Sequence, residues 1–189
     1  RNRLVLGSQG EREIAHIGQR GTMDAIGPSW ASAASSPLRG YKFSATEGGL
    51  RVPMFVHWAG APSAVPQGRI VQGFAHVIDV VPTLAELAGF ALPDGQWAGR
   101  RVEPLMGHSL LPMMAGAAEN VRGDEPLGYE LSGNAALFRG DYKLVRNLPP
   151  TGDGNWRLYN IRRDAGEVED LSRTEPALFA AMLADYREY

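Results

Sequence analysis

Residues 73–89 read GFAHVIDVVPTLAELAG, a short apolar run followed by a helical repeat. The apolar run predicts a strand, and Asp79 is placed to cap the helix that follows. Pro82 fits the first turn of that helix, and Gly89 fits its end. A strand that leads directly into a capped helix is typical of an α/β fold. One helical face is apolar, and we expect its side chains in the core: Val81, Leu84, Leu87 and Ala88.

The residues before this stretch predict another strand and a long loop. Residues 50–58, LRVPMFVHW, have the apolar character of a strand, with Pro53 near its start, where a missing N–H is tolerated. Residues 7–40 are rich in glycine, serine and alanine and lack a regular apolar repeat, which indicates a loop. Residues 3–6, RLVL, have the character of the end of a buried strand. We therefore expect this chain to be part of a longer protein.

After residue 89 the sequence changes from helix to short strands. A second capped helix is predicted between Ser109 and Gly116. From about residue 127 four short segments alternate with turns, and Gly140–Asp141 fits a two-residue hairpin connection. These segments are GYELSG, AALFRG, YKLVRNL and WRLYNI. They predict a small antiparallel sheet.

The tail from Thr174 has helical spacing, which predicts a C-terminal helix packed on that sheet. Its apolar face consists of Leu178, Phe179, Met182, Leu183 and Tyr186. We therefore expect two parts in the chain. Residues 1–126 would belong to an incomplete α/β core, and residues 127–189 would form a subdomain of sheet and helix.

Composition excludes several functional classes. The 189 residues carry a formal net charge of −2, whereas nucleic-acid binding needs a clustered basic surplus, so we expect no nucleic-acid partner. The chain has no cysteine, which excludes disulfides, thiolate metal ligands and a cysteine nucleophile. No apolar run approaches the roughly 20 residues that span a bilayer, so we expect no membrane segment. These features leave the cellular compartment open.

Residues 37–49, PLRGYKFSATEGG, hold the main candidate for chemistry. A lysine in a loop punctuated by glycines can direct its ammonium group at an anion, which makes Lys42 the first candidate. Taken alone, a loop lysine is more simply explained as solvated surface, and the same holds for Arg39. Glu47 is better explained as an acceptor for backbone N–H groups at the Gly-Gly turn than as a catalytic acid or base.

The remaining polar and aromatic candidates predict no further site. The histidines are far apart and lack metal-ligand spacing. We expect His57 and His76 in the core and His108 in a structural role, and His16 is the one to watch. We interpret the acids near the C-terminus as a solvated turn; they are Asp164, Glu167, Glu169 and Asp170. The aromatic residues that flank the lysine loop could line an aryl pocket, but a buried anchor is the favoured interpretation; they are Trp30 and Tyr41.

Five segments, in this order, resemble the C-terminal part of sulfatases, the sulfate-ester hydrolases of the alkaline-phosphatase superfamily. GPSWASAASSPLRGYKFSATEGGLRVPMFVHW is similar to the segment in which bacterial arylsulfatases carry an active-site lysine before a Thr-Glu-Gly-Gly turn. The others are AHVIDVVPTLAELAG, GHSLLPMMAG, ALFRGDYKLV and WRLYNIRRDAGEVEDLS. The resemblance covers about residues 20–189 and implies the C-terminal portion of an alkaline-phosphatase-like sulfatase fold. It implies that Lys42 is a catalytic and substrate-binding residue that contacts the sulfate group.

The chain also departs from the family pattern. Sulfatases use a formylglycine made from Cys or Ser in a Cys/Ser-x-Pro-x-Arg motif, together with a divalent cation, usually Ca²⁺. Residues 35–39, SSPLR, match that motif, but they directly precede the lysine, whereas the family nucleophile lies far upstream, so we interpret the match as accidental. Where the family shows SDNG, residues 7–10 read GSQG, and Gln9 would supply one neutral oxygen to an ion that takes six to eight. We therefore expect no metal ligands in this chain and no activity from it alone.

Three functional interpretations remain open. An intact protein with the missing N-terminal sulfatase region would hydrolyse a small sulfate monoester. A phosphonate or phosphodiester hydrolase of the same superfamily would share this chemistry. A truncated, non-catalytic interaction module is the third possibility. On their own, residues 50–58 and 73–89 would leave apolar faces uncovered, which predicts association.

Overall fold

The computed structural model describes residue 20, residues 27–63 and residues 65–189. It confirms a mixed α/β fold with a small antiparallel sheet and a C-terminal helix. In chain order the elements are helices α1 (Gly27–Ser35) and α2 (Glu47–Leu50), a 3-10 turn (Val77–Asp79), helix α3 (Val80–Leu87), strands β1 (Gln96–Trp97) and β2 (Arg100–Arg101), helix α4 (Leu111–Met114), strands β3 (Leu127–Leu131), β4 (Asn134–Arg139), β5 (Tyr142–Arg146) and β6 (Arg157–Asn160), and helix α5 (Pro176–Glu188).

The four predicted C-terminal strands form one antiparallel sheet in the order β3-β4-β5-β6. Strands β4 and β5 are joined at Gly140–Asp141, as predicted, and Gly140 has a φ of 55°, the left-handed conformation that glycine adopts without strain. Leu137 lies opposite Leu144, and Leu144 lies opposite Leu158, so three leucines form a row across one face of the sheet. This row sets the register, because a shift of one residue would turn it to the other face.

Helix α5 covers that leucine row. Met182 is buried among the three leucines. The predicted apolar face of the helix packs around the cluster with Leu178, Phe179, Leu183 and Tyr186. This apolar core is the part of the fold that the sequence pattern predicted most fully.

The opposite face of the same sheet is polar at its centre. On β5, Lys143 lies between Phe138 of β4 and Tyr159 of β6 in the strand register. Because side chains alternate along a strand, these three residues point away from the leucine row. They face the segment 39–50, as the contacts described below establish.

Several predictions upstream of the sheet are wrong. Residues 51–58 form no regular element, since no described residue pairs with them, and a strand requires a paired neighbour. The apolar run at 73–76 is likewise irregular and leads into the 3-10 turn. The predicted loop over 7–40 contains α1 in its described part. Predictions for residues 1–19, including His16 and Gln9, lie outside the described residues.

Helix α3 is present, but its predicted core face is exposed. Leu84 is 59% exposed and Val81, Leu87 and Ala88 are exposed as well. The buried side chains are Pro82, Thr83 and Ala85. Thr83 donates its hydroxyl to the carbonyl of Asp79 and accepts the N–H of Leu110, and these bonds turn the polar side of the helix inward.

The described chain groups into two compact units. Residues up to Met54 belong with Pro126–Tyr189, and Phe55–Glu125 form the second unit. The predicted division into 1–126 and 127–189 stays a prediction. Among the described residues no helix is long and apolar enough to cross a membrane.

Candidate functional site

Lys42 lies on an exposed turn between α1 and α2. Its Nζ atom is 5.1 Å from the ring centroid of Phe43, a cation–π contact. Among the described residues no carboxylate lies within ion-pairing distance of it. The chain has one other lysine, Lys143, which is instead buried and paired with carboxylates. Lys42 is therefore a cation available to a ligand from solvent.

The glycines of this loop allow it to fold tightly onto itself. Gly40 has a φ of +75°. A Cβ atom on Gly48 would lie 2.3 Å from the carbonyl oxygen of Gly40, and one on Gly49 would lie 2.1 Å from that of Ser44. Both distances are shorter than any side chain tolerates, so these positions require glycine. The glycine pattern thus indicates close backbone packing rather than freedom of movement.

We call the compact unit formed by the described residues up to Met54 and by Pro126–Tyr189 the sheet unit. Two of its asparagines hold the backbone just after Lys42. Asn134 donates its amide N–H to the carbonyl of Phe43 at 2.7 Å, and the side-chain oxygen of Asn147 accepts the N–H of Ala45 at 2.7 Å. Phe43 has a φ of 74°, a left-handed conformation that is rare for a bulky residue and persists only where its surroundings hold it. The conformation beside Lys42 therefore depends on residues about a hundred positions later in the chain.

A buried charge cluster lies beneath the loop. The Nζ atom of Lys143 is 2.8 Å from Oε1 of Glu47 and 2.9 Å from Oε1 of Glu167. Their relative exposures are 0%, 3% and 1%. Glu167 also accepts the backbone N–H of Glu47 through Oε2 at 2.9 Å. We call Glu47, Lys143 and Glu167 the buried triad.

The buried triad corrects two predictions. Glu167 does not belong to a solvated turn, because it is buried. This burial raises the pKa of its carboxyl group, while the Lys143 ammonium opposes that increase. The carboxylate of Glu47 does not accept backbone N–H groups; it pairs with Lys143, and Arg51 lies 4.0 Å from its other oxygen. A lysine in a strand with buried neighbours on both sides was the signal that could have predicted this pairing, because a buried charge requires a partner.

Arg39 adds a contact at the edge of the loop. Its Nη1 atom donates to the carbonyl of Glu167 at 3.2 Å and to the hydroxyl of Tyr159 at 3.4 Å. A cavity of about 70 Å³ lies beside it, lined in part by Ser44 and Asn147. One water molecule needs about 10–15 Å³ of such space, so this cavity has room for ordered water.

The other predicted candidates have different surroundings. His57 is exposed, which corrects its predicted core position. His76 is half-buried and burial lowers the pKa of its imidazole, and His108 pairs with Glu125. Trp30 is 73% exposed, and Tyr41 is also exposed, so neither is a buried anchor of the loop among the described residues.

A metal site would need several oxygen or nitrogen ligands close together. In the described part of the chain, no group of three or more His, Asp or Glu residues could hold a metal ion. The sequence analysis did not predict the contacts of Lys143 and Glu167, which are with the loop rather than with a ligand. Among the described residues, Lys42 is the predicted site residue whose charge has no ion-pair partner.

Comparisons with known proteins identify relatives of this chain. The family model Sulfatase matches residues 15–90. An uncharacterized sulfatase of Schizosaccharomyces pombe is 28% identical over 180 residues, which are 95% of this chain and 32% of that protein. The steryl-sulfatase of Mus musculus is 41% identical over 150 residues, which are 75% of this chain and 22% of that protein.

Solved structures give the same result. The structure of Ps i-CgsB in complex with k-i-k-neocarrahexaose superposes with a TM-score of 0.67 at 30% identity, over 81% of this chain and 32% of that chain. The fold thus matches that of sulfatases. The chain belongs to the sulfatase family. It spans about a third or less of the length of these relatives, and this coverage fits the predicted resemblance to the C-terminal part.

Proposed function

We propose that the full-length protein hydrolyses sulfate monoesters and that Lys42 contacts the sulfate group. The observation that carries this proposal is an exposed ammonium group, without an ion-pair partner among the described residues, on a loop whose backbone is tightly held. Cleavage of a sulfate ester builds negative charge on the leaving oxygen. A cation already fixed near that oxygen stabilises the transition state more than the ground state, and this difference accelerates the reaction.

The family resemblance implies two further groups, a formylglycine nucleophile and a divalent cation. The described residues contain no cluster that fits the cation. We therefore assign no step to either group. The role left to this chain is to present Lys42 and to hold its loop.

The test uses the full-length protein and 4-nitrophenyl sulfate. We expect Lys42→Ala to lower kcat by about 10²- to 10³-fold, the usual effect of removing one charge-stabilising donor. Lys42→Arg, which keeps the charge with a different shape, should retain part of the activity. Arg162→Ala removes an exposed cation elsewhere and serves as the control. If Lys42→Ala stays within about twofold of the wild type, the proposed role is wrong.

The two alternatives give different results in the same assay. A phosphodiester or phosphonate hydrolase would turn over bis(4-nitrophenyl) phosphate or a phenylphosphonate ester faster than the sulfate. A non-catalytic interaction module is favoured by the exposed apolar residues before β1, among them Phe55, which is 93% exposed. It would show no turnover of any ester and, by denaturing mass spectrometry, an intact mass near 20.5 kDa.

A further inference from the structure

The sheet unit contacts the backbone at every second residue after Lys42. The carbonyl of Phe43 accepts from Asn134, the N–H of Ala45 donates to Asn147, and the N–H of Glu47 donates to Glu167. A peptide held at three alternate positions has little freedom between them. The segment 43–47 is therefore fixed by side chains of residues 134–167.

These contacts are themselves held in place. The amide of Asn134 accepts the N–H of Leu148 through its oxygen at 2.7 Å while its nitrogen donates to Phe43. Its orientation is thus set by two bonds of opposite polarity, since the oxygen can only accept and the nitrogen can only donate. Asn147 packs directly against the turn at Gly152, since a Cβ atom on Gly152 would lie 2.3 Å from the carbonyl oxygen of Asn147 and 2.7 Å from its Cβ.

The buried triad fixes the end of the segment. Lys143 donates a hydrogen bond to Glu47 at 2.8 Å and forms an ion pair with Glu167 at 2.9 Å, so displacing Glu47 would leave the buried ammonium with one partner fewer. Removing one partner of a buried ion pair is strongly unfavourable because the other charge is then uncompensated. Arg51 beside Glu47 balances the second negative charge from the solvent side. The triad therefore holds Glu47 at one position on the sheet.

We propose that Asn134, Asn147 and Glu167 are positioning residues for Lys42, so that the C-terminal sheet sets the place of the lysine at the sulfate. This inference rests on the proposed function of Lys42. These residues touch the loop and not the substrate. A catalytic group must be held within a fraction of an ångström of its working position, and the exposed side chain of Lys42 has no described contact of its own except that with Phe43.

Asn147 provides the sharpest test, because one atom of its side chain accepts the Ala45 N–H. In the full-length protein we expect Asn147→Ala to lower kcat for 4-nitrophenyl sulfate by roughly tenfold or more, with a smaller change in KM. Asn147→Asp keeps an acceptor oxygen and should restore most of the loss. Asn155→Ala, an exposed asparagine of the nearby turn, is the matched control and should behave as the wild type.

Glu167 provides an independent pair of variants. Glu167→Gln keeps an acceptor for the Glu47 N–H, whereas Glu167→Ala removes it. We expect the kcat of the first to stay closer to the wild type than that of the second. If Glu167→Ala fails to fold, as judged by circular dichroism, the Asn147 pair decides alone.

Amide hydrogen exchange separates the two possible failures. Asn147→Ala should speed exchange of the Ala45 amide, and Asn147→Asp should reverse that effect. If exchange rises while kcat is unchanged and Lys42→Ala is inactive, the positioning role is overturned and the role of Lys42 stands. If Lys42→Ala is fully active, the proposed function of Lys42 fails, and the exchange data still show whether the loop is held as described.

Discussion

The two compact units differ in how much apolar surface they bury. The sheet unit fully buries a row of three leucines beneath α5. Among the described residues of 55–125, the buried apolar side chains are Ala85, Leu110 and Met113, and large apolar side chains are exposed, including Val77 at 75%. Both units also bury charged side chains in ion pairs. The second unit therefore presents apolar surface that its own described residues do not cover.

A single carboxylate organises the second unit. Asp79 is fully buried, accepts the backbone N–H groups of His76 and His108 at 2.8 and 2.9 Å, and pairs with Arg122. Arg122 in turn donates to the carbonyl of Met106 at 3.2 Å. The predicted cap of α3 thus has a different role, because its side chain joins three segments of the chain rather than capping the helix.

The largest expected effect is at Asp79. Asp79→Ala leaves the Arg122 guanidinium buried without its partner, and we expect a loss of about 3–5 kcal/mol in the stability of this unit. Amide exchange over residues 76–122 would show the loss as local opening while β3–β6 stay protected. Equal loosening of the sheet would contradict the view that the two units are organised separately.

In the sheet unit, Leu144→Ala probes the apolar core. The side chain lies at the centre of the leucine row, so we expect a destabilisation of about 2–5 kcal/mol from lost burial and the cavity left behind. Urea unfolding followed by circular dichroism measures it. A loss below about 1 kcal/mol would mean that the sheet does not depend on this core.

The buried triad predicts a pH dependence for the stability of the sheet unit. Burial raises the pKa of Glu167 above its ordinary value of 4.5, so the folded state binds this proton more tightly than the unfolded state. The resulting stability is present below pH 4.5 and is lost as the pH rises through the raised value. Lys143, Glu47 and Arg39 are the charged groups around it.

Glu167→Gln cannot titrate and should lack this decline. Unfolding free energies at a series of pH values from 4.5 upward measure the difference in slope between the two proteins. Glu169→Gln removes an exposed carboxylate two residues away and serves as the control. Parallel pH profiles for wild type and Glu167→Gln would show that Glu167 does not titrate differently in the folded state.

The smallest effect is expected at Leu84 on the exposed side of α3. In this chain on its own, Leu84→Ala should change the unfolding free energy by no more than about 0.5 kcal/mol, because the side chain gives up little burial. Self-association measured by analytical ultracentrifugation should fall, since apolar surface is removed. A large loss of stability would indicate that Leu84 packs against residues outside the described part of the chain.

The sequence alone determined much of this protein. The turn residues between short segments predicted the four strands from 127 to 160, and the helical spacing of Leu178, Met182 and Tyr186 predicted the face that α5 buries. These features are local, since turn geometry and side-chain alternation depend on neighbouring residues. The ordered motifs also identified the family, and they implied the role of Lys42, which stays a prediction.

Only the tertiary structure decided which polar residues are buried and what holds the loop. Lys143 and Glu167 are ordinary charges in the sequence, and they become a buried pair because the tertiary fold brings helix α2 and the loop after β6 against strand β5. The exposure of Leu84 was likewise not predictable from the sequence, because a helical period locates an apolar face but does not show what covers it. Burial depends on contacts between residues that are far apart in the chain, so a local sequence pattern does not determine it.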